Sequence, residues 1–151
     1  MAGTAASMAG NMAALAAAAA NVRAIMQAGV AGALLAAPLV GEEAVNTIQQ
    51  LINVQGPPRS SPGEPPHMDT GALYDSYDYE VEDGGTTITL TIGSSSLYAP
   101  FLEFGTSKMD ARPHMRPALE QLAGGARITS IIRYSVAAAQ SAALGGMGGR
   151  G

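Results

Sequence analysis

Cysteine and tryptophan are absent from the 151 residues, phenylalanine occurs twice and tyrosine five times. Without cysteine there is no disulfide framework and no thiolate nucleophile or ligand, and the chain is compatible with a reducing compartment. The shortage of aromatics matters because 47% of the residues are hydrophobic yet many of these are alanine, which buries little area. A core built this way is thin, and such a subunit completes its burial against copies of itself or partners. Charge is also scarce. Eight basic residues against twelve acidic ones leave a net charge of −4, the wrong balance for a protein that holds nucleic acid by neutralising phosphates.

Long runs of Leu, Ile and Phe are missing too. Ala24 to Val40 carries no charge and is long enough to raise the question of a membrane span. Nearly half its residues are Ala or Gly, with Gln27 and Pro38 inside, so a packed helix is expected and no membrane partner. A secretory signal is not expected either, since no positive charge precedes the first apolar residues.

The remaining charges are segregated. Glu64, Asp69, Asp75, Asp78, Glu80, Glu82 and Asp83 crowd one stretch, while Lys108, Arg112, Arg116, Arg127 and Arg133 follow, offset by Asp110 and Glu120. Two readings stand: solvated surfaces, or opposite faces that meet head to tail between subunits.

One domain is expected from the length. Residues 1–10, rich in Ala, Gly and Ser, read as a mobile arm, and alanine makes the chain helical from about Asn11. Leu15, Val22, Ile25 and Met26 supply a sparse apolar stripe. Gly29, Gly32, Pro38 and Gly41 then predict a kink or break. A second helical stretch begins at Glu42 and Glu43, with Val45, Ile48, Leu51 and Ile52 on one face as core. Residues 55–66 (QGPPRSSPGEPP) hold five prolines and form an extended connector. A short helical turn over Thr70 to Ser76, capped by Asp69 or Thr70, comes next.

Tyr77, Tyr79 and Val81 alternate with Asp78, Glu80 and Glu82; after Asp83-Gly84-Gly85, Ile88, Leu90 and Ile92 alternate with Thr87, Thr89 and Thr91. Period two on both sides of a turn predicts a β-hairpin. Pro100 and Gly105 bracket a short helix. Pro113 and Pro117 predict extended chain before a helix over Ala118 to Leu122, Gly124 and Gly125 interrupt, and Ile128, Ile131, Ile132 and Val136 mark a C-terminal amphipathic helix. The Gly-rich tail, 145–151, reads as mobile. The fold class is therefore α+β: an N-terminal helix, kinked or broken, packed on a small antiparallel sheet containing a hairpin, with a C-terminal helix.

Catalytic patterns are sparse. Gly146, Gly148 and Gly151 spell G-x-G-x-x-G, but a dinucleotide site needs a strand before it and a helix after. Gly105-Thr106-Ser107-Lys108 has the letters of a phosphate loop in the wrong order and spacing. Asp75, Asp78 and Glu80 lack the spacing and glycine of a calcium loop. His67 and His114, with Asp69 and Asp110 near in sequence, form no H-E-x-x-H or comparable ligand spacing. No G-x-S-x-G elbow is present to activate a serine. No enzyme activity, cofactor or metal is expected.

Four marks stand out in order: the proline-rich S-P-G-E-P-P, the T-G-x-L-x-x-S after it, Y-A-P-x-L-E-F-G-T-S-K, and A-R-P-x-x-R-P-A-L. Arg59 to Ser76 and Leu97 to Leu119, which carry them across the hairpin, resemble a family of phage neck or tail-completion proteins of siphophages, whose tails are long and non-contractile. Two departures occur: His114 stands where relatives often have Phe, and Tyr77 where an aliphatic residue is common.

The resemblance implies a structural subunit of the head–tail connector, assembled in the host cytoplasm and resident in the virion neck or head-proximal tail end. Several copies, six by expectation, would form a ring around the channel through which DNA leaves the head. The partners would be neighbouring connector, stopper, tail-terminator or tail-tube proteins, with only non-specific proximity to DNA. The alternatives are a tail-terminator ring capping the tail tube and, more remotely, a membrane-active phage protein using the uncharged N-terminal half. The resemblance assigns no chemistry to Glu103, Phe104, Gly105, Thr106, Ser107 and Lys108. They are expected to shape a packed corner and subunit interface together with Thr70, Gly71, Arg112, Pro113, Arg116 and Pro117. In that corner Gly105 allows a tight turn, Phe104 anchors it, and Glu103 pairs with Arg112 or Arg116.

Overall fold

The structure is a computed structural model and describes residues 2–55 and 60–148. It has an α+β arrangement. Helix α1 (Ala2–Ile52) is followed by a 3₁₀ turn (Tyr74–Ser76), strands β1 (Tyr77–Asp83) and β2 (Ile88–Ser94), and helices α2 (Ala99–Phe104), α3 (Met115–Gly124) and α4 (Ala126–Gly148).

The hairpin follows the alternation in the sequence. Tyr77 opposes Ser94, Tyr79 opposes Ile92, and Val81 opposes Leu90, while Asp78, Glu80 and Glu82 stay exposed on the other face. A two-stranded ribbon is marginal in water by itself, and here α1 covers its apolar face. Ile48 and Ile52 of α1, Tyr77 of β1 and Ala118 of α3 form the buried centre, with Val45, Leu51, Leu73, Tyr74, Ile92 and Met115 packed around it. The face of Val45, Ile48, Leu51 and Ile52 is thus the core face that its spacing predicts.

The expected break in the N-terminal helix is absent: α1 runs unbroken through Pro38. A proline within a helix removes one hydrogen bond and costs about 3 kcal/mol, so packing on both sides must outweigh it. The glycines show where. A Cβ on Gly32 would lie 2.6 Å from the Val136 Cα of α4, and one on Gly41 would overlap the Tyr79 ring. Glycines that looked like interruptions are the points where α4 and the hairpin come closest to α1.

Other boundaries move as well. The segment read as an N-terminal arm is helical from Ala2, and α4 continues through Gly145 to Gly148. Residues 149–151 and 56–59 lie outside the described residues, so the proline-rich connector is seen only at Gln55 and from Ser60 to Pro66, where it has neither helix nor strand. Pro117 lies inside the first turn of α3, which starts at Met115 and not at Ala118.

α4 packs antiparallel along α1. Glu43 meets Arg127 at 3.0 Å near the start of α4, and Gly32 and Gly29 meet Val136 and Gln140 further on. Met12 to Ile52 is apolar and long enough to cross a membrane by length and composition alone, though its C-terminal half contributes Ala36, Ala37, Ala44, Ile48 and Ile52 to the buried interior.

Candidate functional site

The N-terminus of a helix leaves backbone N–H groups without internal acceptors. At α3 one side chain takes them all. Glu103, at the end of α2, turns inward and its Oε2 accepts from the backbone N–H of His114 (2.8 Å) and of Met115 (3.0 Å). Its Oε1 accepts from the N–H of Arg116 (2.9 Å). The next residue is Pro117, which has no N–H to satisfy, and Ala118 then begins the intrahelical ladder by donating to His114 O. The R-P-H-M-R-P-A-L segment and Glu103 therefore form one complete cap, built across eleven to thirteen residues. The positive end of the helix dipole adds to it. Burial by itself would raise the Glu103 carboxyl pKa, but hydrogen bonds from the His114, Arg116 and Met115 amides and the nearby His114 ring outweigh it and hold the group below its ordinary value.

His114 is fully buried. Its Nδ1 lies 3.1 Å from Arg112 O and 3.3 Å from Glu103 Oε2. Both neighbours are acceptors, so Nδ1 carries a proton. Nε2 is then free to accept from the Tyr77 hydroxyl, its partner on the other side. The two rings meet edge to face with centroids 5.8 Å apart. Burial, then the negative charge of Glu103, pushes the Tyr77 phenol well above its usual range, against a smaller lowering by Ser94. Tyr77 stays a neutral donor. The Tyr77 hydroxyl and the His114 ring therefore form one buried polar pair.

Gly105 closes α2 with φ +76°, and a Cβ there would lie 2.8 Å from Met109 O. Only glycine fits both demands. The loop it opens is pinned by Thr106 N–H donating to Met109 O at 2.8 Å and by Lys108 N–H donating to Thr106 Oγ1 at 3.2 Å. The connector docks on the same corner. Gly63 N–H donates to Ala111 O at 2.9 Å, and Arg112 Nε donates to Ser60 O at 3.1 Å. Thr70 and Gly71 lie just before the 3₁₀ turn: Thr70 Oγ1 accepts from Ala72 N–H at 3.4 Å, and Asp75 N–H donates to Gly71 O.

Two of the expected roles change. Glu103 pairs with neither the Arg112 nor the Arg116 side chain; among the described residues the carboxylate meets backbone amides and His114, while the Arg116 side chain is exposed. Phe104 does not anchor the turn, being 72% exposed. Pro113 is half-buried beside His114, and Ser107 and Lys108 are exposed. The residue that sequence reasoning undervalued is His114, whose partner Tyr77 lies 37 residues away in the chain.

Two grooves flank the corner. One, about 850 Å³, runs between the connector, the 3₁₀ segment and Arg112, and holds two buried polar atoms, Ser60 Oγ and His67 Nδ1, that have no hydrogen-bond partner among the described residues. The other, about 540 Å³, lies between α2, α3 and the end of β2, walled by Ala99, Phe104, Met115, Leu119 and Ala123 with Arg116 and Glu120 at its side. Beside them Leu97, Tyr98 and Phe101 join Phe104 as exposed apolar side chains. No group of three or more His, Asp or Glu side chains able to hold a metal occurs among the described residues. No family model, curated protein or solved structure matches the chain.

Proposed function

We propose that this chain is a ring-forming structural subunit of the neck or tail-completion region of a long-tailed double-stranded DNA phage. The observation that carries the reading is the polarity of the L-Y-A-P-F-L-E-F segment. It turns its one carboxylate, Glu103, inward as a helix cap and leaves Leu97, Tyr98, Phe101 and Phe104 exposed on the outside. Apolar side chains gathered in one such patch mark a surface that a partner covers. The exposed carboxylates of β1 lie on one element, and the Lys108 and Arg116 side chains, also exposed, lie on another. A head-to-tail contact between copies needs such separated, opposite patches.

Electron microscopy of a lysate from a phage lacking the gene tests the reading. DNA-filled heads beside separate tails are expected. Complete virions of normal appearance would overturn it.

A further inference from the structure

The helix α1 is longer than anything that covers it. α4 runs antiparallel to it in a register that pairs Glu43 with Arg127, Gly32 with Val136 and Gly29 with Gln140. Extended at that register, the end of α4 at Gly148 falls level with about residue 21 of α1. Every described side chain from Gly10 to Arg23 is exposed, and burial begins only at Ala24. A stretch of roughly 20 Å of helix therefore stands clear of the body.

Its apolar residues are not scattered. Met12, Leu15, Val22 and Met26, with Ala19 between, are spaced three, four, three and four residues apart, the alternation that places one seam toward a neighbouring helix. Their exposures are 69%, 68%, 56% and 67%. Ile25, off the seam, is half-buried.

We infer that Met12–Met26 is a self-association seam, occupied by the same segment of a second copy. Three features select that occupant. The 3–4 spacing suits a helix and not a strand or a flat surface. Arg23 is the one charged residue before Glu42, so like can pair with like without a row of repelling charges, whereas an interfacial membrane helix carries a strongly basic polar face. Four side chains exposing on the order of 100 Å² each on two copies approach the roughly 1,000 Å² at which a specific protein interface becomes sustainable. The inference does not depend on the phage assignment, since it requires only two copies of this chain.

Sedimentation of the full chain over a range of concentrations is the test, with Leu15→Asp and Val22→Asp on the seam and Ala17→Asp off it. Self-association of the parent, weakened about tenfold or more by each seam charge and unchanged by Ala17→Asp, is the expected result. A Leu15→Ala/Val22→Ala double variant guards against loss of the helix itself, because alanine keeps helix propensity while removing the apolar area. It must weaken association with its circular dichroism retained. A parent that stays monomeric throughout would overturn the inference. So would association that the seam variants leave as Ala17→Asp leaves it; the ring would then form through the body alone and the proposed function would survive. Flotation with phosphatidylcholine–phosphatidylglycerol vesicles that is lost in Leu15→Asp, without self-association, would assign the stripe to a lipid surface and equally overturn it.

Discussion

Replacing Glu103 by alanine removes the single acceptor for three backbone N–H groups at the start of α3. A hydrogen bond to a charged group is worth about 1.5–3 kcal/mol, and a buried donor left without a partner costs about 1–3 kcal/mol. The three bonds share one carboxylate, so their values do not add. The expected loss is about 3–5 kcal/mol, comparable to breaking a buried ion pair on one side. For a chain of this length that lowers the melting temperature by on the order of 10 °C. Glu103→Gln sharpens the test. Its oxygen can keep the His114 and Met115 amides while its NH₂ faces the Arg116 amide, so the loss should be about 2 kcal/mol at neutral pH. The pH dependence has a definite sign. Glu103 has a depressed folded pKa, so its stabilisation is fully present above the unfolded value near 4.5 and is lost as pH falls through the lower folded value. The gap between parent and Glu103→Gln should be constant from pH 7 to about 5 and should close below 4.5. Chemical denaturation across that range measures it. An Ala variant within about 1 kcal/mol of the parent, or a Gln gap that ignores pH, would refute the capping argument.

Tyr77→Phe strands His114 Nε2, and His114→Phe strands the Tyr77 hydroxyl; each should cost about 1–3 kcal/mol, while the double Phe variant should cost less than their sum, and strict additivity in a denaturant double-mutant cycle would show that the pair is uncoupled. Gly105→Ala should destabilise by about 2 kcal/mol by thermal melting, from the left-handed φ and the clash with Met109 O, and an unchanged melting temperature would mean the loop relaxes freely. Arg127→Ala, by contrast, should change stability by no more than about 0.5 kcal/mol, because the Arg127 side chain of its pair with Glu43 is 75% exposed; a larger loss in the same denaturation assay would mean the pair positions α4 along α1.

Local regularity carried the legible part of the fold. The hairpin, the core face of Ile48 and Ile52, the short helix between Pro100 and Gly105 and the break at Gly124 and Gly125 each have a period or punctuation of their own. The continuity of α1 does not. Pro38 and the glycines at 29, 32 and 41 argue for interruption until the close approach of α4 and Tyr79 supplies the reason for them. The candidate corner was visible as a set of residues but not as a mechanism. Glu103 beside two arginines suggests ion pairing, yet its partners are backbone amides, which leave no letter in a sequence. Phe104 suggested an anchor because exposure cannot be read from a hexapeptide helix with apolar residues on several sides. Nothing in the sequence joins Tyr77 to His114; only the fold brings positions 37 residues apart into one contact.

The clamp of Glu103 on the start of α3 closes a loop of about a dozen residues, and closing a loop removes conformational freedom from the chain whatever the chemistry of the closure. Secreted domains of similar size achieve this with disulfides. This chain has no cysteine and uses a carboxylate staple instead. Such a closure needs no oxidant, forms as fast as the two helices meet, and is indifferent to reductants. Its vulnerability is acid, because one proton on one oxygen unfastens it.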